Sequence, residues 1–159
     1  MNDPIIAAFK AEFDRFFTML EKQIDICPEE LWAKKVGGWP FWQQQLHSLA
    51  CTFIYARPEG QAFEGVAYKP AVIMLAEEPD FTPAKDDLRR LAAEAKAAAH
   101  DYMDGLTAAD LPGRHRLMCD TMKKDMTHQS ALMALPRHIC YHLGSCDAAL
   151  RDLGIPGVY

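Results

Sequence analysis

His138 and His142 stand four residues apart in the segment LPRHICYHLGSCDAALRDLG, residues 135–154. On an α-helix, positions i and i+4 lie about 40° apart around the axis, one turn above the other. Two imidazoles placed this way can grip one metal ion, as in helical H-x-x-x-H sites. Leu135, Ile139, Cys146, Leu150 and Leu153 form the predicted apolar stripe of this helix. His142 falls inside the stripe and His138 at its edge, with Arg137, Asp147 and Arg151 turned outward. The alternative is coincidence, since a helical chain with six histidines can place two of them at this spacing with no ligand role. A third inward-facing histidine would favour the metal reading. His47 is the candidate, on the edge of an earlier helix with Cys51 one turn beyond it on the same side.

The elements that must position these side chains are helical. Ile5, Ile6, Phe9, Phe13, Phe16, Phe17, Leu20 and Ile24 recur at three- and four-residue steps and predict a first amphipathic helix over about residues 4–24, capped by Asp3 with Pro4 in its first turn. Residues 27–38 read as a connection with one helical turn at 29–32, broken at Gly37-Gly38. A second helix is predicted from Pro40 to about Ala56, with Trp42, Leu46, Leu49, Ala50, Phe53 and Ile54 facing inward and Arg57-Pro58 as its stop. Residues 57–82 form a long connection rich in Pro and Gly, with a short helix near 71–77. Such a length can run along a whole bundle, so the helices on either side of it are expected to point the same way.

A third helix is predicted to open at Thr82-Pro83 and to end at Gly105 and the Leu111-Pro112-Gly113 turn. His100 reads as solvated, and His115 and His128 as surface residues. Residues 114–125 fit either a short helix or an extended piece. The last helix runs from about Thr127 to Leu153, with Pro136 inside it and Gly154 and Pro156 closing it.

Composition narrows the function classes. The 159 residues suit one domain, 1–159, with one core. A net charge of −5 is the wrong sign for nucleic-acid binding. The chain has no apolar run of the ~20 residues that span a membrane and does not open on a secretory signal. Five cysteines without a C-x-x-C pair point to a reduced, cytoplasmic protein.

The pattern His138-x-x-x-His142-x-Gly144, followed by Leu150-Arg151-x-x-Gly154, resembles the last bundle helix of the DinB-like superfamily, which includes the YfiT-like proteins and the bacillithiol and mycothiol S-transferases. Gln45-Leu46-His47-Ser48-Leu49 stands where that family places its first metal histidine, and residues 105–111 resemble its turn after the third helix. The resemblance implies an all-α fold, a four-helix bundle running up-down-down-up with a long connection between helices 2 and 3. It also implies a divalent metal, most often nickel or zinc, on His47, His138 and His142. Three neutral imidazoles suit such ions, and three protein ligands with an open position is the catalytic pattern. Residues 57–82 match no branch of the family, and no thiol-binding residue can be placed.

Two function classes follow. One is a metal-dependent enzyme acting on a small molecule, either a low-molecular-weight-thiol S-transferase or a hydrolase. Its catalytic residues are not assigned, and Tyr55 and Tyr141 are weak candidates for a base. The other is a non-catalytic metal-binding or stress-response protein, with Cys51 as the side chain that could close the fourth position. Gly144, on the outward face of the last helix, suits a homodimer or internal packing equally.

Overall fold

The computed structural model describes residues 3–57 and 68–159 and is mostly helical. Much of the long connection falls on residues 58–67, outside the described residues. The first helix, α1 (Pro4–Ile26), begins where Asp3 Oδ1 accepts the Ile5 and Ile6 N–H groups at 2.9 and 3.4 Å. Its second carboxylate oxygen accepts from the Ala108 N–H at 2.8 Å and ties the helix start to a distant turn. Phe13, Phe16, Phe17, Leu20 and Ile24 are buried, but Ile5 is exposed, one residue too early to reach the core.

The helical turn expected at 29–32 is α2 (Glu29–Trp32). Beyond it lies an element that the glycine pair only hinted at. Strands β1 (Lys35–Val36) and β2 (Trp39–Pro40) pair antiparallel around Gly37 and Gly38, both at positive φ, 59° and 99°. Two consecutive left-handed residues make the tight hairpin turn that glycine permits at low cost.

Helix α3 (Phe41–Ala56) is buried on nearly every side, including three consecutive glutamines, Gln43, Gln44 and Gln45. It packs on both α5 (Lys85–Asp104) and α7 (His128–Asp152), and α1 packs on the same two helices. The pairs Lys10–Asp104, Glu21–Lys96 and Asp25–Arg89 run α1 and α5 in opposite directions. Between α3 and α5 lies a one-turn helix, α4 (Pro70–Ile73), shorter than the predicted 71–77 because the chain turns through Leu75 at φ 56°.

Helix α5 starts later than Thr82-Pro83. Trp32 Nε1 donates to the Pro83 carbonyl at 2.8 Å, and Ala84 stays extended, so regular helix begins only at Lys85. After α5 a 3-10 turn (Ala108–Asp110) is held by a reciprocal Thr107–Asp110 capping box. The ambiguous segment contains α6 (Arg116–Met122), which ends at Lys123 in the left-handed region.

Helix α7 starts at its Thr127 cap and continues through Pro136. Its stripe is as expected at Leu135, Ile139, Cys146 and Leu150, while Leu153 is exposed. Asp147 departs from expectation by facing inward. It accepts hydrogen bonds from Gln23 Nε2 at 3.2 Å and from the Val158 N–H at 2.6 Å, and it pairs with Arg151. A buried carboxylate needs such partners, and here it anchors the C-terminal tail. Among the described residues, no helix is long and apolar enough to cross a membrane.

Candidate metal centre

The three histidines meet between α3 and α7. Their ring centroids lie 4.8 Å (His47–His138), 4.9 Å (His47–His142) and 5.0 Å (His138–His142) apart. His47 and His142 are buried and His138 is half-buried. Two elements bring them together. The i, i+4 spacing on α7 stacks His138 and His142, and the antiparallel packing of α3 against that face delivers His47.

Backbone and amide carbonyls set the ring orientations. His47 Nδ1 lies 2.7 Å from the Ile73 carbonyl oxygen. A carbonyl only accepts, so Nδ1 carries the proton and the Nε2 lone pair is free. His142 Nδ1 lies 3.2 Å from Gln44 Oε1. The Gln44 amide is fixed in turn, since its Nε2 donates to the Val36 carbonyl of the hairpin. Gln44 therefore presents its oxygen to His142, which donates from Nδ1 and keeps Nε2 as a lone pair. The glycine turn, the hairpin carbonyl, the glutamine and the imidazole form one continuous positioning chain.

His47 Nε2 faces His138 Nε2 at 3.1 Å. With the His47 proton committed to Nδ1, either His138 donates across this gap or a cation lies between two lone pairs. The spacing fits two nitrogens each about 2.0–2.1 Å from one ion. Burial disfavours the imidazolium forms. It is the main cause that lowers His138 to about 4 and His142 to about 3, with the neighbouring histidines adding to it. Burial also lowers His47, against a hydrogen bond to the Ile73 carbonyl that raises it. All three are neutral near pH 7, which is the ligating form.

Cys51 belongs to the same place. Its Sγ lies 3.8 Å from both ring nitrogens of His47, and donor atoms of His47, Cys51 and His138 fall within 4.8 Å of one another. This group could hold a metal ion; His142, although its ring is 4.9–5.0 Å from the other two, is not part of it. Burial pushes the Cys51 thiol up to about 12, so a cation recruiting it must first expel a proton, whereas the imidazoles offer lone pairs at once. Tyr55, itself pushed up to about 12 by burial, has its ring 6.4 Å from His138, and the largely exposed Tyr141 ring stands 5.0 Å from His142.

The other histidines separate from this cluster. His100 Nε2 lies 2.6 Å from Asp14 rather than in open solvent. His115 is buried, contrary to its surface reading, because it caps α6. Its Nδ1 accepts the Met118 N–H at 3.3 Å and its Nε2 donates to the Tyr55 carbonyl at 3.0 Å. His128 is half-buried, with Nδ1 2.8 Å from the Tyr102 hydroxyl. A cavity of about 770 Å³ lies beside these last two histidines and not on the cluster of three.

Sequence reasoning missed Gln44 and the Ile73 carbonyl as orienting groups. The run Gln43-Gln44-Gln45 was the available signal: three consecutive residues sweep about 200° of a helix, so on a helix apolar all round some amides must be inside. No protein-family model, curated protein or solved structure matches the chain. The fold and the donor set define the protein coarsely, as a mostly helical chain with a buried histidine–cysteine cluster able to hold a metal ion.

Proposed function

We propose that this is a metal-dependent enzyme resembling the DinB-like superfamily, with a divalent ion, nickel or zinc, on His47, His138 and His142 and a small-molecule substrate. The observation that carries the reading is the paired orientation of His47 and His142. Each ring has its Nδ1 proton taken by a carbonyl, which leaves Nε2 as a free donor. Such outer partners fix the tautomer and raise ligand basicity. The bundle reading, up-down-down-up, is supported by α1 and α5 pairing in opposite directions and by the packing of each long helix on two others.

A bound divalent ion would supply Lewis acidity toward a water or a low-molecular-weight thiol, in hydrolysis or thiol transfer respectively. The chain's own contribution is positional. Gln44 and Ile73 hold the rings, the apolar wall of α3 and α7 limits water, and the half-buried His138 with the exposed Tyr141 marks the side open to a substrate. Tyr55 stays protonated near neutral pH and so can donate but not act as a base. A cytoplasmic location and a homodimer through the α7 face that carries Gly144 complete the proposal. Among the described residues, a Cβ added at Gly144 would meet nothing within 4 Å beyond the adjoining backbone of its own helix, which leaves room for an outside neighbour.

A second reading rests on Cys51. Its place among the donors of His47 and His138 suits a closed, non-catalytic centre. Elemental analysis of protein purified without a histidine tag is expected to give about one metal per subunit. His142→Ala should lose it and Cys51→Ser should keep it. Equal loss in both variants would favour the closed centre. A screen of thiols against small electrophiles, run on metal-restored protein, then tests the enzymatic reading.

A further inference from the structure

His47, Cys51 and Tyr55 follow one another at four-residue steps on α3, so they share one side of it. His138 Nε2 lies 3.1 Å from His47 Nε2, and Cys51 Sγ lies 3.8 Å from that same nitrogen. The donors of His47, Cys51 and His138 all fall within 4.8 Å of one another. With bonds of about 2.0 Å to nitrogen and about 2.3 Å to sulfur, a trigonal ion holds nitrogen and sulfur about 3.7 Å apart and two nitrogens about 3.5 Å apart. Both observed separations come close to these. His142 stands outside the group, its Nδ1 held 3.2 Å from Gln44 Oε1. The pair His47–His138 is therefore an edge shared by two donor sets, one completed by the His142 nitrogen and the other by the Cys51 sulfur.

Charge separates the two sets. Among the described residues, no carboxylate belongs to the group of His47, Cys51 and His138. Cys51 and His47 are buried, and net charge placed in such a site is costly. When an ion takes Cys51, the S–H bond breaks, its proton passes to solvent and a metal–sulfur bond forms. A divalent ion on two neutral imidazoles and one thiolate leaves a net positive charge, whereas a monovalent ion leaves none. Thiolate is also the ligand type that selects a soft ion such as Cu(I). The Tyr55 side chain hydrogen-bonds Cys51 and supports its sulfur as an anion.

We propose that the centre takes a second class of metal through a second ligand set: a thiophilic monovalent ion, Cu(I), on His47, Cys51 and His138. Zinc or nickel stays with the three histidines. Exchange of His142 for Cys51 about a fixed His47–His138 edge then discriminates between the two kinds of ion. The inference rests on the histidine pair of the proposed function, and not on catalysis or on ligation by His142.

Anaerobic titration of the full chain with Cu(I), in competition with bicinchoninate, tests this beside a zinc titration against a chromogenic chelator. One Cu(I) per chain should bind. Cys51→Ala should weaken Cu(I) about 100-fold or more and zinc less than about threefold. His142→Ala should do the reverse, weakening zinc about tenfold or more and Cu(I) less than about threefold. Cys140→Ser, a control for the half-buried thiol on α7, should change neither. Copper-edge X-ray absorption on the unmodified chain should show two nitrogens and one sulfur around the ion. No Cu(I) bound against bicinchoninate, a shell of nitrogen alone or of several sulfurs, or Cu(I) binding that survives Cys51→Ala would overturn the proposal. The absorption spectrum decides the matter even if a variant does not fold. Zinc that ignores His142→Ala sinks the three-histidine reading, whereas Cu(I) that ignores Cys51→Ala sinks this one.

Discussion

Acid should destabilise the metal-free protein through its buried histidines, and the size of the effect follows from the site. An unfolded histidine titrates near 6.5, whereas folded His142 is held down to about 3, chiefly by burial. Between those values the unfolded chain binds a proton that the folded chain refuses. Stability therefore rises with pH across this window and is lost as pH falls through it. Taking the protein from about pH 7 to about pH 4.5 protonates the unfolded imidazole almost fully and the folded one hardly at all, a loss of about 2–3 kcal/mol from His142 alone. His138, held at about 4, acts in the same direction, and the two contributions overlap because each imidazolium would repel the other. The assay is urea unfolding in excess chelator, followed by the fluorescence of Trp32, Trp39 and Trp42. The comparison is His142→Gln. Carboxylate titrations are common to both proteins and cancel in the difference. The variant's stability should fall by about 2 kcal/mol less than the wild type over this range. Parallel curves for the two proteins would refute the claim that His142 is buried and neutral.

Three further outcomes are expected. Gln44→Leu strips His142 Nδ1 of its acceptor and should lower metal affinity about 10–100-fold while leaving ligand number unchanged, as read by competition with a chromogenic chelator. Phe17, fully buried in the core, should lose about 3–5 kcal/mol of stability on truncation to alanine, read by chemical denaturation. Gly157→Ala places a Cβ 2.0 Å from Asp147 Oδ2, so the tail must leave its anchor. Hydrogen exchange at the Val158 amide should accelerate, with a stability cost of about 1–3 kcal/mol for the lost charge-assisted bond.

The helices were legible because their signals are local and repeated. Phe13, Phe16, Phe17 and Leu20 recur at helical steps, Asp3 caps α1 as its position suggests, and the last helix starts next to Thr127. Boundaries slipped where a distant group intervened. The start of α5 depends on Trp32, about fifty residues earlier, capturing the Pro83 carbonyl, and no propensity of Thr82 or Pro83 encodes that. Asp147 failed in the same way, since its inward turn is sustained by Gln23 on one side and the chain's own tail on the other.

The candidate site divides along the same line. His138 and His142 could be paired from spacing alone, because a helix converts sequence distance directly into angle. Bringing His47 to them required knowing which face of α3 meets α7, and the residue pattern could only suggest it. The orienting carbonyl of Ile73 could not be read at all, and the run Gln43-Gln44-Gln45 said only that some amide lies inside, not that Gln44 meets His142. A backbone carbonyl leaves no mark in a sequence, and Gln44 acts only because the Gly37-Gly38 turn holds Val36 against it. The groups that decide which imidazole nitrogen is free are thus those whose identity carries least information. A histidine trio found by spacing therefore remains a set of candidates until the partners of each Nδ1 are known. Here the Nδ1 atoms of His47 and His142 face carbonyls, and that leaves the Nε2 lone pair of each ring free.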